Sequence, residues 1–173
     1  MGHEQHEREA RAAVRIFVVT ASDSRREEED ESGAFLRDAA VRAGHQLVGY
    51  LLVKDDPAEL RAALEAAAGA GAEAVVVNGG TGIAARDQTY EAVTAVLEKR
   101  MDGFGELFRA LSYAEIGSAA MLSRAVAGAW RGRVVFSVPG SPAAVRLAWE
   151  KLISPQLGHA VRELGKGRAA ART

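Results

Sequence analysis

Residues 74–87, AVVVNGGTGIAARD, run from a short apolar stretch into four loop residues, Gly79, Gly80, Thr81 and Gly82, and then reach the carboxylate of Asp87. Glycines carry no Cβ, so the backbone can turn left-handed and a ligand can approach the amide N–H groups closely. Successive amides of this kind form a concave nest for an anion. Thr81 adds a hydroxyl, and Asp87, five positions past Gly82, is suited to a hard cation such as Mg²⁺. A phosphate cradle beside a carboxylate is the minimum equipment for nucleotide chemistry. The same junction also serves as a plain strand-to-helix turn. It has neither the GxxxxGK(S/T) order of a P-loop nor the GxGxxG dinucleotide fingerprint, so function needs a second, independent feature.

The elements that must position this loop are legible as alternating patterns. Apolar runs at 14–19, 47–53, 74–77 and 134–138 are short, rich in valine and bounded by turn residues, which predicts buried strands. Between them, Leu60, Ala63, Leu64 and Ala67 repeat at helical spacing. Asp56, Pro57 and Glu59 predict an N-cap, a proline in the first turn and a capping box for that helix. A second helix is expected from Ser32 through Phe35, Leu36, Ala39 and Ala43, closed by Gly44 as a left-handed cap. A third is expected from Thr89 as N-cap through Val93, Val96 and Leu97. A fourth is expected from Ser141, with Pro142 inside it, through Val145, Leu147, Ala148 and Leu152 until Pro155 interrupts. The stretch 102–129 reads as two short helices broken at Gly117.

This alternation predicts a three-layer α/β/α fold with a mostly parallel central sheet and right-handed crossovers. Ligands bind such sheets beyond the carboxyl ends of the strands. The loops that matter are then 20–26, 54–56, 78–87 and 139–142.

The bulk numbers narrow the partners. A chain of 173 residues, 48% hydrophobic and 26% charged, suits a single domain at 14–165, flanked by loose tails at 1–13 and 166–173. With 22 basic and 23 acidic side chains the net charge is −1, which gives no broad attraction to nucleic acid or to an anionic membrane. No apolar run approaches the roughly 20 residues of a membrane span. The absence of cysteine excludes disulfides and thiolate metal sites and is compatible with a reducing cytoplasm, where the chain is expected. The acidic run 27–31 reads as a solvated loop face.

Six segments in order resemble the MoaB/Mog family of molybdenum-cofactor biosynthesis. They are TASDS at 20–24, DESG at 30–33, NGGTGIAARDQT at 78–89, DGFGELFR at 102–109, LSRAVAG at 122–128 and VPGSP at 138–142. The likeness covers about 14–164. It is closest to the MoaB branch, through LRDAAVRAGH at 36–45, the run FRALSYAEIGSAAMLSRAVAG, and AWEKLISPQL at 148–157.

The resemblance implies assembly as a homotrimer or a homohexamer, other molybdenum-cofactor pathway proteins as partners, and binding of molybdopterin with a purine nucleotide, ATP or GTP. Active relatives use Mg²⁺ and ATP to transfer AMP to the terminal phosphate of molybdopterin, with release of pyrophosphate. Some MoaB-branch members bind the pterin or nucleotide without efficient transfer. The family's two aspartates, which serve the metal and the reaction, fall on Asp87 and Asp55. Capping claims Asp56, which leaves Asp55 for chemistry. Nucleotide or pterin contacts fall on Ser22, Asp23, Gly79, Gly80, Thr81, Gly82, Arg86, Pro139, Gly140 and Ser141, with Ser123 and Arg124 as further candidates to meet a phosphate. Two departures stand out. Close relatives carry proline where Tyr90 stands and a second basic residue where Ala85 stands, while Arg86 remains.

Overall fold

The valine-rich runs fold as strands β1 (Arg15–Ala21), β2 (Gln46–Val53), β3 (Ala74–Asn78) and β6 (Arg133–Val138) of a six-stranded sheet. Two more strands, β4 (Lys99–Arg100) and β5 (Val126–Trp130), complete it in the order β2-β1-β3-β6-β5-β4. The computed structural model describes residues 13–170, with side chains to Lys166. Pairing is parallel from β2 through β1 and β3 to β6, and antiparallel from β6 to β5 and β5 to β4.

Side chains alternate across the strands, so the sheet makes two cores. Ile16, Val18, Val76 and Phe136 pack on one face with Leu36, Phe108, Val145 and Leu157. These last four come from α1 (Glu31–Arg42), α4 (Asp102–Ile116), α5 (Pro142–Ala148) and α6 (Ser154–Ala170). Phe17, Val19, Val75 and Val77 pack on the other face with Leu60 and Leu64 of α2 (Pro57–Gly69) and Val93 of α3 (Thr89–Val96). The three-layer α/β/α architecture is therefore as expected.

Local departures have identifiable causes. The stretch read as two short helices does break at Gly117 (φ 63°), but its first part is a full helix, α4, its second only a 3₁₀ turn over Gly117–Leu122, and β5 follows. Strand β5 escapes a search for β-branched residues because VAGAW is built largely from small ones, all buried. Its signal was the two-residue connection to β6, in which Arg131 (φ 47°) and Gly132 (φ 71°) are both left-handed, as a type I′ hairpin requires. Pro155 does not interrupt the last helix. A π-helical segment, Trp149–Ile153, precedes it, and Ser154 N–H bonds the Trp149 carbonyl, so the wider turn leaves room for the proline ring. Helix α6 then continues to Ala170, so the expected tail is helical from 166 to 170; residues 1–12 and 171–173 lie outside the described residues.

The caps differ in detail as well. Gly44 has φ 84° after α1, as expected, but Ala43 is exposed rather than buried. Asp30, buried, caps α1 through Gly33 N–H at 2.9 Å, while Glu27, Glu28 and Glu29 form an exposed 3₁₀ turn. Asp56 accepts from the N–H groups of Ala58 (2.9 Å) and Glu59 (3.1 Å), but the Glu59 carboxylate reaches past it to Lys54 N–H at 2.9 Å. Asp56→Ala is expected to cost about 1 kcal/mol in urea unfolding. A loss no greater than that of an exposed mid-helix substitution would show the cap to be idle.

Candidate functional site

Strands β2, β1, β3 and β6 are neighbours and run in one direction, so their carboxyl ends share an edge. From β1 the chain passes to β2 on one side and then to β3 on the other, which makes β1/β3 the switch point where loops splay apart and a crevice opens. A cleft of about 430 Å³ lies there. It brings together Ser22 and Asp23 after β1, Asp55 after β2, Gly79, Gly80, Thr81, Gly82, Arg86 and Asp87 after β3, Ser123 before β5, and Pro139 and Gly140 after β6. Ser141 is one of two exceptions, with Arg124 the other. Ser141 is exposed, is not among the lining residues, and its hydroxyl caps α5 by accepting from Ala144 N–H at 3.3 Å.

The glycines serve the protein as much as a ligand. Gly79 (φ 99°) and Gly80 (φ 59°) are left-handed. A Cβ at Gly79 would strike the Ala21 carbonyl, one at Gly80 the Thr89 hydroxyl and the Asp55 carboxylate, and one at Gly82 the Asp87 carboxylate. At Gly140 it would sit 2.9 Å from the Gly79 Cα. The loops thus close on one another where the missing Cβ atoms would be. The N–H of Gly79 bonds the Val138 carbonyl at 3.0 Å, but among the described residues nothing accepts from the N–H of Gly80, Thr81 or Gly82.

The carboxylates tie the loops in series. Asp23 Oδ1 accepts from Asp55 N–H at 3.1 Å. Asp55 Oδ1 accepts in turn from Gln88 N–H (3.1 Å) and the Thr89 hydroxyl (2.7 Å). Asp55 is therefore not free at its strand end, for it holds the first turn of α3. That corrects the reading of Thr89 as N-cap: Gln88 occupies that position without a side-chain bond, and the capping carboxylate comes from 33 residues away. Asp87 does not cap the helix either; its Oδ2 accepts from Ala84 N–H at 3.0 Å within its own loop. Asp55 Oδ2 and Asp87 Oδ1 accept no hydrogen bond among the described residues.

Two arginines complete the site. Arg25 was not singled out in the sequence. It lines the cleft, donates twice to the Gly140 carbonyl at 3.2 Å and lies 3.8 Å from the buried Asp30, while the Ser32 hydroxyl reaches the same carbonyl at 2.9 Å. Asp30 also accepts from the Tyr50 hydroxyl at 2.6 Å; burial, and then that carboxylate, push the phenol's pKa upward. The detectable signal for Arg25 was a cation inside the strand-end loop 20–26. Arg124 does not line the cleft, against the sequence expectation. It donates to the carbonyls of Thr81 (2.9 Å) and Gly82 (2.6 Å), pairs with Glu91, and lies 4.5 Å over the Tyr90 ring. The Arg124 hydrogen bond holds the Glu91 carboxyl below the usual carboxylate range. Tyr90 thus takes part in the brace.

Known proteins share this sequence and this fold. Residues 17–159 match the family described as "Probable molybdopterin binding domain". The chain is 50% identical over 170 residues to molybdenum cofactor biosynthesis protein B of Halalkalibacterium halodurans, spanning 97% of this chain and 100% of that one. A crystal structure of a molybdenum cofactor biosynthesis protein B superposes with TM-score 0.86 at 51% identity, covering 90% of this chain and 98% of the other. The tungsten cofactor synthesizing protein MoaB from Pyrococcus furiosus superposes with TM-score 0.81 at 39% identity, covering 88% and 97%. The chain belongs to the MoaB family of molybdenum-cofactor biosynthesis proteins.

Proposed function

We propose that the cleft transfers AMP from ATP to the terminal phosphate of molybdopterin. A phosphate oxygen of the pterin attacks the α-phosphorus of ATP, a new P–O–P bond forms, the α–β bridge breaks, and the electron pair leaves with pyrophosphate. The nucleophile is already anionic, so no side-chain base is required. The observation that carries this reading is the meeting of Asp55 and Asp87 in one cleft with three consecutive amides that have no internal partner.

The donor set fits Mg²⁺. Among the described residues no three His, Cys, Asp or Glu gather as a metal cage. Mg²⁺ instead favours one or two carboxylates completed by water and substrate phosphates, and Asp55 and Asp87 each keep one uncommitted oxygen for it. When bound, it neutralises charge on the phosphates. The protein's own part is positional. The glycine-loop amides stabilise charge developing on the leaving pyrophosphate, Arg86 and Arg25 offset the three carboxylates of the cleft, and the ties among the loops hold the reactants in line.

A binding role without efficient transfer is the second reading, and the engagement of Asp55 Oδ1 with the α3 N-terminus favours it. Assembly as a homotrimer or homohexamer belongs to the same reading, and the large apolar side chains of Leu107, Tyr113, Ile116 and Met121, exposed in the single chain, are consistent with it. The decisive assay mixes protein, molybdopterin, ATP and Mg²⁺ and follows adenylyl-pterin and pyrophosphate together. Both are expected, with turnover abolished when EDTA removes the metal and restored when Mg²⁺ is added back. Tight pterin binding with no pyrophosphate would establish the carrier reading instead.

A further inference from the structure

Three successive peptide groups in the glycine loop have their carbonyls anchored from one side. The Gly80 carbonyl accepts from Thr89 N–H at 3.0 Å, the Thr81 carbonyl from Arg124 Nε at 2.9 Å, and the Gly82 carbonyl from Arg124 Nη2 at 2.6 Å. In a trans peptide the C=O and the following N–H point in opposite directions, and all peptides here are trans. Fixing those carbonyls therefore turns the N–H groups of Thr81, Gly82 and Ile83 the other way. Arg124 is outside the cleft lining while Gly80, Thr81 and Gly82 are part of it. We propose that Arg124 is a positioning residue that clamps two carbonyls from behind and so aims the loop's amides at the phosphates, without touching the phosphates itself.

The surroundings are built for that task. Arg124 pairs with Glu91 and lies over the Tyr90 ring, and both belong to α3, whose first turn supplies the third anchor through Thr89 N–H. Guanidinium and helix start thus act as one rigid backing. Only a planar fork with several fixed donors reaches two successive carbonyls and a carboxylate at once; an ammonium keeps the charge but loses that geometry. If Arg124 worked by charge alone, lysine would replace it.

The proposal rests on the phosphate-binding reading of the loop, and the test separates the two. Inorganic pyrophosphate is titrated into ¹⁵N-labelled wild type, Arg124→Lys and Arg124→Gln, with thermal unfolding measured alongside. In the wild type the amide protons of Thr81 and Gly82, which line the cleft, are expected to shift downfield while the Arg124 Nε–H is unmoved. Both variants are expected to bind pyrophosphate about 10- to 100-fold more weakly, the range that one or two charge-assisted hydrogen bonds represent. Binding restored by lysine, or a wild-type shift on Arg124 Nε–H in place of the amides, would overturn the clamp and make Arg124 a direct ligand. If a variant does not fold, the wild-type shifts decide by themselves, and their absence also overturns the proposal. Adenylyl transfer is scored separately by pyrophosphate release from ATP, so a nest that binds pyrophosphate in a protein without turnover leaves the clamp standing and removes only the enzymatic reading.

Discussion

Asp87→Asn and Asp55→Asn are each expected to lower adenylyl transfer by about 100- to 1,000-fold, the rate equivalent of several kcal/mol of lost charge stabilisation. Both variants should remain folded. An asparagine Oδ1 can still accept from Ala84 N–H at position 87, and from Gln88 N–H and the Thr89 hydroxyl at position 55. What each loses is the negative charge on the oxygen left for a cation. Asp55→Ala differs, because it also strips the first turn of α3 of its capping carboxylate. It should therefore lose a further ~1–2 kcal/mol of stability that Asp55→Asn keeps. The pair distinguishes a chemical role from a structural one: pyrophosphate release reports the first and urea unfolding the second. Wild-type turnover in both asparagine variants would sink the assignment of these carboxylates.

The contrast between the two aspartates shows where sequence reading reached and where it stopped. The four parallel strands β1, β2, β3 and β6, the layers and the loops at the carboxyl edge followed from valine runs and helical spacing, because those patterns are local, whereas β4 and β5 carry no such run. Capping by Asp56 was legible for the same reason, since its partners Ala58 and Glu59 are two and three residues away. Capping of α3 by Asp55 spans 33 residues and exists only once β2 and β3 have β1 between them. No local rule could place it. Arg25 and Arg124 are alike in this. Arg25 holds a carbonyl 115 residues on, and Arg124 holds carbonyls 42 and 43 residues back. A cation bound for a carbonyl and a cation bound for a phosphate look the same in sequence; only the fold shows that Arg124 faces the back of the loop.

Gly80→Ala is expected to remove both stability and turnover, because one added carbon meets two conflicts. The residue sits at φ 59°, a conformation that costs a residue with a Cβ roughly 1–2 kcal/mol. The new Cβ would also strike the Thr89 hydroxyl and the Asp55 carboxylate, which are hydrogen-bonded to each other. The Asp55 carboxylate ends its side chain and can swing aside, while the buried Thr89 hydroxyl moves only by a change of χ1, so the protein should still fold with both displaced. In moving, however, they break the bond that holds α3 and carry the Asp55 carboxylate away from its place beside the glycine loop. A total loss of ~2–4 kcal/mol is expected from strain and the lost cap, with turnover falling at least as far as in Asp55→Asn. Gly103→Ala is the control. Gly103 lies in α4 with no positive φ and open space where the Cβ would go, so alanine there should be neutral or stabilise by about 0.5–1 kcal/mol. If Gly80→Ala unfolded at the same urea concentration as Gly103→Ala, Asp55 would not be locked against the loop, and the cleft would lack the rigidity on which in-line transfer depends.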